Sequence, residues 1–208
     1  MPKVSAEHRA ARREQILDAA RLCFLRNGFH ATTMQDVFAE AGMSAGAVYL
    51  YFPGKEEIVR AIASEAITQI STALTPLVDA PGAPVALYDV IATAVINLER
   101  LDVERGIPRI AVQVWGEAMR SPTLAEEVKE IVQSVAPLLR RLVERHRDHG
   151  WLPDDVDVAA TARALLGLIP GFIVQRVLTG LDAATYLEGL QVLLPSHGRA
   201  GASTGSRR

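Results

Sequence analysis

The chain has 208 residues, a formal net charge of −2, and a composition that is 49% hydrophobic but only 5% aromatic. This length suits one or two small domains with a sizeable core, and plentiful alanine and leucine favour helices over strands. A single cysteine excludes an internal disulfide framework. The longest apolar run, 164–174, contains Gly and Pro and is shorter than the roughly 20 residues of a membrane-spanning helix. Because the chain also opens without an apolar signal region, we expect a cytoplasmic protein with no membrane partner.

The charge is distributed unevenly along the chain. Residues 1–60 carry +1, from eight Lys and Arg against seven Asp and Glu, whereas the remainder carries −3. Affinity for phosphate depends on where charges lie rather than on the chain average, so this weak asymmetry permits a nucleic-acid-binding N-terminal region. Residues 1–8 are predicted to form a flexible basic arm, and a frayed tail in solvent explains them equally well.

The first periodic segment runs from Arg13 to Phe24. Its apolar positions recur at helical spacing and end at Asn27-Gly28, a glycine stop signal. Cys23 lies on the apolar face of this predicted helix. We therefore expect it to be a small buried hydrophobe rather than a redox sensor, because reactive cysteines need exposure and positive neighbours.

Residues 33–55 have the pattern of two short helices separated by a turn. Thr33 is suited to cap the first helix, with Asp36 three residues later as its reciprocal partner. Gly42 can adopt the left-handed conformation that ends a helix, and Ser44 is suited to cap the second helix. Pro53-Gly54 then stops that helix. This arrangement is typical of a helix-turn-helix, although a glycine between short helices also occurs in ordinary bundles.

With these motifs in order and at this spacing, the chain resembles the TetR family of bacterial transcriptional regulators over about residues 9 to 60. The matching segments are Ile16-Leu17-Asp18-Ala19-Ala20, Phe24, Asn27-Gly28-Phe29, Thr32-Thr33-Met34, Ala41-Gly42-Met43-Ser44 and Tyr49-Leu50-Tyr51-Phe52-Pro53-Gly54-Lys55-Glu56-Glu57-Ile58. The resemblance implies an all-α fold of about nine helices, in which a three-helix DNA-binding domain precedes a helical ligand-binding and dimerisation domain. The predicted boundaries are 1–60 for the first domain, 61–195 for the second, and 196–208 for a disordered tail.

The second domain is predicted as further helices. One starts at Lys55 and runs to Pro76 or to the break at 81–84, and others cover 85–101, 108–119 and 122–150. In the last of these, 123–126 has the pattern of a capping box and Pro137 is expected to introduce a kink.

The last two predicted helices, 157–180 and 182–194, are apolar over much of their circumference. A helix of that kind must be covered on more than one side, and the simplest cover is the same pair of helices from a second subunit. The resemblance implies the same homodimer interface. A helix pair buried entirely within one chain remains the alternative.

The candidate DNA contacts cluster in the predicted helix-turn-helix. Recognition helices usually read bases with Arg, Lys, Asn or Gln, whereas the tip here is Ala45-Gly46-Ala47. Apolar contacts with thymine methyl groups and close approach of the backbone remain available to it, and phosphate contacts are expected to dominate. Gln35, His30, the basic arm or DNA shape supply further readout. The predicted DNA-binding residues are Thr33, Gln35, Ser44, Ala45, Gly46, Ala47, Tyr49, Tyr51 and Lys55, of which Tyr49, Tyr51 and Lys55 follow from the resemblance.

An effector, if there is one, is expected in the second domain and is unidentified, with a largely apolar small molecule fitting such sites best. The candidate ligand-binding residues are Gln113, Trp115, Met119, Trp151, Phe172 and Gln175. Each is also the kind of residue that a helical bundle needs for its core or its interface. Pro170-Gly171 is expected to interrupt its helix, as a cavity wall or as a simple kink.

No metal site and no cofactor are predicted. His146 and His149 are one turn apart, but near a helix C-terminus they are expected to be surface residues that compensate the helix dipole. An enzyme is disfavoured because no paired carboxylates, nucleophile–base pair or phosphate loop stands out, and Glu117 and Asp89 are isolated.

Two binding functions remain. The first is a homodimeric repressor that binds a palindromic double-stranded DNA operator and is released by a small-molecule effector. The alternative is a weakly sequence-specific architectural DNA-binding protein without a ligand.

Overall fold

A computed structural model describes residues 6–194, and this range contains nine helices and no strand. The helices are α1 (Ala6–Asn27), α2 (Met34–Ala41), α3 (Ala45–Tyr49), α4 (Lys55–Val78), α5 (Leu87–Arg105), α6 (Ile107–Ala118), α7 (Pro122–Asp148), α8 (Val158–Thr179) and α9 (Ala183–Leu193). The predicted all-α class and helix number are confirmed. The predicted tail 196–208 and residues 1–5 of the predicted basic arm lie outside the described residues.

The described chain divides into two compact units. Unit 1 comprises residues 6–69 and 100–133, and unit 2 comprises residues 70–99 and 134–194. Helices α4, α5 and α7 each have residues in both units, whereas α6 belongs wholly to unit 1. The two units are defined by which parts of the chain pack together and not by what they bind, so the domain boundary at residue 60 stays a prediction.

Unit 1 is organised around the predicted apolar face of α1. Ile16, Ala20, Cys23 and Phe24 are completely buried, as the helical spacing predicted. They pack in a core whose other buried side chains come from α2, α3 and α4: Val37, Ala41, Val48, Ile58 and Ile62. Burial raises the pKa of the Cys23 thiol. Cys23 is therefore a packing residue.

A buried arginine in unit 1 is a feature that sequence reasoning did not single out. Arg21 is only 4% exposed, and its guanidinium donates to Glu14 (3.0 Å), Asp18 (2.6 Å) and Glu65 (2.7 Å). Arg13 also donates to Glu65, at 2.6 Å. Because a buried charge must be paired to be tolerated, this cluster fixes α1 against α4.

Prolines lie inside three helices without ending them. Pro76 lies in α4, Pro137 in α7 and Pro170 in α8. The prediction that Pro170-Gly171 interrupts its helix is wrong, since α8 is continuous from Val158 to Thr179. A proline removes one backbone hydrogen bond, and the remaining bonds and packing can hold the helix together.

The start of α7 also differs from the predicted capping box. The hydroxyl of Ser121 accepts from the N–H of Leu124 at 3.3 Å, and Thr123 lies inside the helix. Pro122 explains the shift, because proline is favoured in the first turn and the residue before it then serves as the cap.

His146 was expected at the surface, but it is buried in unit 2 and only 3% exposed. Its Nδ1 lies 2.8 Å from the carbonyl oxygen of Leu142, and its ring packs edge-on against Trp151. The apolar stripe of α7 explains this position: His146 follows Leu142 by four residues and so continues the face that enters the core. His149 is exposed, as expected.

Helix α8 is apolar but poorly covered. By length and composition, Val158–Thr179 could cross a membrane, although the shorter apolar run 164–174 did not indicate this. Only 22% of the most apolar 18-residue stretch of this helix is buried. Val174 and Leu178 in α8 are exposed, as are Val192 and Leu193 in α9. These two helices therefore present an apolar surface that residues 6–194 leave open.

Candidate nucleic-acid interface

Helix α2 begins with the predicted capping box. The Thr33 hydroxyl accepts from the N–H of Asp36 at 3.2 Å, and the Asp36 carboxylate accepts from the Thr33 N–H at 2.7 Å. The bonds that the Thr33 backbone N–H and then its hydroxyl donate to the carboxylate lower the pKa of Asp36. Thr33 also donates its hydroxyl proton to Asp36, at 2.8 Å. The Thr33 side chain is therefore fully engaged in starting the helix.

The turn between α2 and α3 is built as the sequence predicted. Gly42 has φ of 61°, a left-handed conformation that glycine adopts without a steric penalty. Gln15 of α1 donates from its side-chain amide to the carbonyl oxygen of Ala41 at 2.7 Å, which holds the end of α2 against α1. The Ser44 hydroxyl then accepts from the N–H of Ala47 at 3.3 Å and caps α3.

Helix α3 turns its larger apolar side chain inward and its small residues outward. Val48 is completely buried, whereas Ala45 and Gly46 are exposed and Ala47 is half-buried. A Cβ added at Gly46 would meet nothing within 4 Å. The exposed tip therefore consists of backbone and methyl groups.

The two predicted tyrosines differ in exposure. Tyr49 is 49% exposed and its ring packs edge-on against Phe38, with centroids 5.2 Å apart. Tyr51 is half-buried. The contact with Phe38 holds the Tyr49 ring in place.

Leu50 is an exposed residue of this surface that sequence reasoning missed. It is the C-cap of α3, retains right-handed helical angles, and is 86% exposed. Helical numbering could have found it, because Leu50 follows Gly46 by four residues and so shares its face. Leu50 lies between Tyr49 and Tyr51, which belong to the family motif, and its helical relation to Gly46 was therefore overlooked.

Lys55 is engaged within unit 1. Its ammonium donates to the carbonyl oxygens of Phe29 (2.9 Å) and His30 (3.3 Å), and lies 4.7 Å from the centre of the Phe29 ring. An ammonium group has three donors, so these bonds leave one for a phosphate. Lys55 thus ties the start of α4 to the loop between α1 and α2.

The same loop is held by α6. The side-chain oxygen of Gln113 accepts from the N–H of Phe29 at 2.7 Å, and His30 Nδ1 lies 3.3 Å from a carboxylate oxygen of Glu117. Gln113 was predicted as an effector contact, and His30 as a source of DNA readout. In the structure, both residues join α6 to the loop that precedes α2.

The remaining effector candidates do not lie in one unit. Trp115 and Met119 belong to unit 1 with Gln113, and Met119 is 89% exposed. Trp151, Phe172 and Gln175 belong to unit 2. There, Phe172 is fully buried against Tyr186, and Gln175 donates to the carbonyl oxygen of Gly171 in its own helix. The effector assignment of all six stays a prediction.

A separate groove, formed by residues of α1 and α2, is unsuited to DNA. It has a volume of about 510 Å³ and is lined by Glu14, Asp18 and Glu40 together with small and apolar side chains. Carboxylates repel phosphate, so the tip of α3 is the better nucleic-acid surface. Across residues 6–194, no group of three or more His, Cys, Asp and Glu side chains is placed to hold a metal ion.

A capped helix-turn-helix within an all-helical chain defines the class of helix-turn-helix DNA-binding proteins. Two family profiles match this chain: "Bacterial regulatory proteins, tetR family" over residues 16–62, and "BetI-type transcriptional repressor, C-terminal" over residues 90–194. The chain belongs to the TetR family of bacterial regulatory proteins and is a DNA-binding transcriptional regulator.

Individual relatives agree with this assignment. The HTH-type transcriptional repressor Rv1474c of Mycobacterium tuberculosis is 30% identical over 188 residues, which cover 88% of this chain and 90% of that protein. The uncharacterized HTH-type transcriptional regulator YfiR of Bacillus subtilis is 52% identical over 61 residues, covering 29% of this chain and 30% of that protein.

Solved structures show the same fold. Salmonella enterica GusR has a TM-score of 0.70 at 28% identity, with 92% of this chain and 98% of that chain covered. Bacillus subtilis FadR in complex with stearoyl-CoA has a TM-score of 0.72 at 18% identity, with 88% and 98% covered.

Proposed function

We propose that the protein is a homodimeric, cytoplasmic repressor that binds a palindromic DNA operator and is released by a small-molecule effector. The observation that carries the proposal is the exposed tip of α3, which is capped at Ser44, anchored by Val48 and free of obstruction at Gly46. A surface of this kind can approach the floor of a major groove closely.

In this proposal the DNA contacts divide by chemistry. Tyr49, Tyr51 and Lys55 contact phosphates, and Ser44 and Thr33 lie beside the backbone at the starts of α3 and α2. Ala45, Gly46 and Ala47 face the bases, and the exposed amide of Gln35 in α2 is available for hydrogen bonding. Phosphate contacts position the protein on DNA, whereas base contacts select the sequence.

The open surface of α8 and α9 supports the homodimer. Leu178 is 71% exposed, Val192 82% and Leu193 74%. A Cβ added at Gly167 or Gly171 would meet nothing within 4 Å, so α8 has room for a closely packed neighbour. The same two helices of a second copy would cover this surface in a four-helix arrangement. In a DNA-binding regulator, a second copy explains the apolar α8 better than a membrane does.

Dimerisation sets the geometry of the operator. Two recognition helices must lie about 34–36 Å apart to enter successive major grooves on one face of DNA. A change in their separation abolishes simultaneous binding, and an effector that binds only the released form shifts the protein to it.

Two observations support an effector. The solved FadR structure, which has a similar fold, contains stearoyl-CoA, a ligand with a long apolar acyl chain. In this chain α6 lies inside the segment matched by the repressor C-terminal profile, yet Gln113 and Glu117 of α6 contact the loop before α2. A displacement of α6 would therefore reach the DNA-binding helices directly.

The alternative, an architectural DNA-binding protein without a ligand, is favoured by the lack of polar side chains at Ala45-Gly46-Ala47. Selection of bound fragments from random and genomic DNA, followed by footprinting at physiological salt, separates the two functions. Protection of one short palindrome supports the repressor. Salt-sensitive binding of all fragments alike supports the architectural protein and overturns the repressor.

A further inference from the structure

The exposed side of the recognition helix is continuous and apolar. Ala45, Gly46, Tyr49 and Leu50 follow the spacing i, i+1, i+4 and i+5, which places them within about 140° of an ideal helix circumference. Val48 points away from this arc and is completely buried. The face offers one methyl group, bare backbone, an aromatic ring and an isobutyl group that is 86% exposed.

Three polar side chains of the flanking segments have partners within the protein. The Thr33 hydroxyl bonds to Asp36, the Lys55 ammonium bonds to two carbonyl oxygens, and His30 lies against Glu117. The exposed amide of Gln35 in α2 is the main alternative for hydrogen bonding to a base edge.

We propose that this face reads DNA through the C5-methyl groups of thymine, and that Leu50 is its specificity-determining residue. The inference rests on the proposed function. In the major groove each base pair presents hydrogen-bonding groups, and the methyl of thymine is its apolar feature. Water contacts most of the Leu50 side chain in the free protein, so contact with a methyl removes apolar surface from water. Cytosine lacks that methyl and gains no such contact.

The close approach that methyl contacts need is permitted by Gly46. A side chain there would stand between α3 and the bases, whereas the space around the position is open. The half-sites should therefore carry thymines at defined positions facing Leu50 and Ala45. Because 5-methylcytosine presents its methyl at the same place in the groove, it should replace those thymines better than cytosine does.

The chemistry of the base edge can be tested atom by atom on the selected operator. Uracil in place of thymine removes only the methyl, and 7-deazaadenine removes the N7 acceptor that an amide such as Gln35 would use. Each contacted methyl should be worth about fourfold in affinity, from the transfer free energy of one apolar carbon. Uracil at both symmetry-related positions should therefore weaken binding about fifteenfold, while 7-deazaadenine leaves it within about twofold.

Leu50→Ala assigns the effect to a residue. Leu50 is exposed, so its loss should leave folding intact, and Leu22→Ala at another exposed leucine of unit 1 is the matched control. Leu50→Ala should weaken binding to the thymine operator and remove the response to uracil at one position, since the two changes delete the same contact. Leu22→Ala should retain both the wild-type affinity for the thymine operator and the loss of affinity with uracil.

The deciding experiment measures affinities of wild type, Leu50→Ala and Leu22→Ala for the thymine, uracil, cytosine, 5-methylcytosine and 7-deazaadenine operators. The inference is supported if uracil weakens binding, if Leu50→Ala abolishes that loss, and if the 5-methylcytosine operator binds wild type more tightly than the cytosine operator does. It is overturned if uracil operators bind as tightly as thymine operators, or if 7-deazaadenine causes the loss instead. Failure to select any preferred DNA sequence would instead defeat the proposed function.

Discussion

The side-chain oxygen of Gln113 accepts a hydrogen bond from the backbone N–H of Phe29 at 2.7 Å. The two residues are 84 positions apart in the sequence. Phe29 lies just before the helix-turn-helix, and Gln113 lies on α6 in the segment matched by the repressor C-terminal profile. One hydrogen bond thus joins the part of the chain expected to respond to an effector with the part expected to hold DNA.

Gln113→Met should loosen this junction. The variant keeps the length of the side chain but removes the acceptor, leaving the Phe29 N–H without its partner. We expect the free energy of unfolding to fall by about 1–2 kcal/mol, measured by denaturant titration, with weaker operator binding. Gln113→Glu keeps an acceptor oxygen and should retain most of the stability. Equal losses in the two variants would show that the hydrogen bond is not responsible.

Tyr49→Phe should weaken DNA binding by about tenfold for the dimer without changing which sequence is preferred, because it removes the hydroxyl that we propose to bond to phosphate. The ring contact with Phe38 remains, so the fold should be unaffected. Fluorescence anisotropy with operator and scrambled DNA measures the effect. Tyr88→Phe in α5 is the control. A loss confined to the operator would give Tyr49 a base contact instead.

Leu178→Glu should dissociate the dimer. Leu178 is 71% exposed on α8, and a carboxylate there would be buried without a partner in the proposed interface. Sedimentation velocity at micromolar concentration should show a monomer with unchanged helix content by circular dichroism. Val103→Glu changes an equally exposed valine of α5 and should leave the dimer intact. A Leu178→Glu protein that remained dimeric would exclude α8 from the interface.

Arg21→Met should destabilise the protein by about 2 kcal/mol, because it removes the charge-assisted hydrogen bonds that the buried guanidinium donates to Glu14, Asp18 and Glu65, although Arg13 still pairs with Glu65. Arg26→Met removes an exposed arginine that pairs with Glu40 at 2.9 Å and should cost much less, because water screens an exposed ion pair. Both are measured by denaturant unfolding. Similar losses would mean that burial does not set the strength of the Arg21 cluster.

His146 should make stability depend on pH. Burial lowers the pKa of His146 below its ordinary value of 6.5. The hydrogen bond with the Leu142 carbonyl raises this pKa, and the charges of Arg145 and His149 lower it further. The unfolded chain therefore binds a proton at a higher pH than the folded chain. This contribution to stability is complete above about pH 6.5 and is lost as the pH falls toward the lowered pKa.

Unfolding of the wild type and of His146→Leu at about pH 8 and about pH 5.5 checks this sign, since the two values bracket the ordinary imidazole pKa. The wild type should lose more stability on acidification than His146→Leu, and His149→Gln should stay close to the wild type, because the charge of His149 is the smallest of the causes that act on His146. An equal loss in all three proteins would assign the pH dependence to other groups.

The sequence predicted those parts of the structure that are set by local backbone chemistry. Thr33, Asp36, Gly42 and Ser44 occupy the capping and turning positions expected of them, because each requirement involves residues three or four apart. The burial of Cys23 followed in the same way from helical spacing.

Contacts between distant segments could not be predicted in this way. Gln113 and Lys55 were each given a ligand or phosphate role, whereas the structure gives both a bond to the loop around Phe29. Arg21 was counted as one basic residue among several, because nothing local shows that Glu65 lies beside it. Polar side chains of this kind find their partners only once the helices have packed.

The open space at Gly46 bears on how such a regulator changes over generations. A Cβ there would meet no atom within 4 Å, and the position lies outside the left-handed backbone region, so a side chain can be introduced with little penalty for folding. Mutations at this codon can therefore alter the set of sites the protein occupies while leaving its abundance in the cell unchanged. Divergence of target genes after gene duplication would need no compensating change elsewhere in the chain.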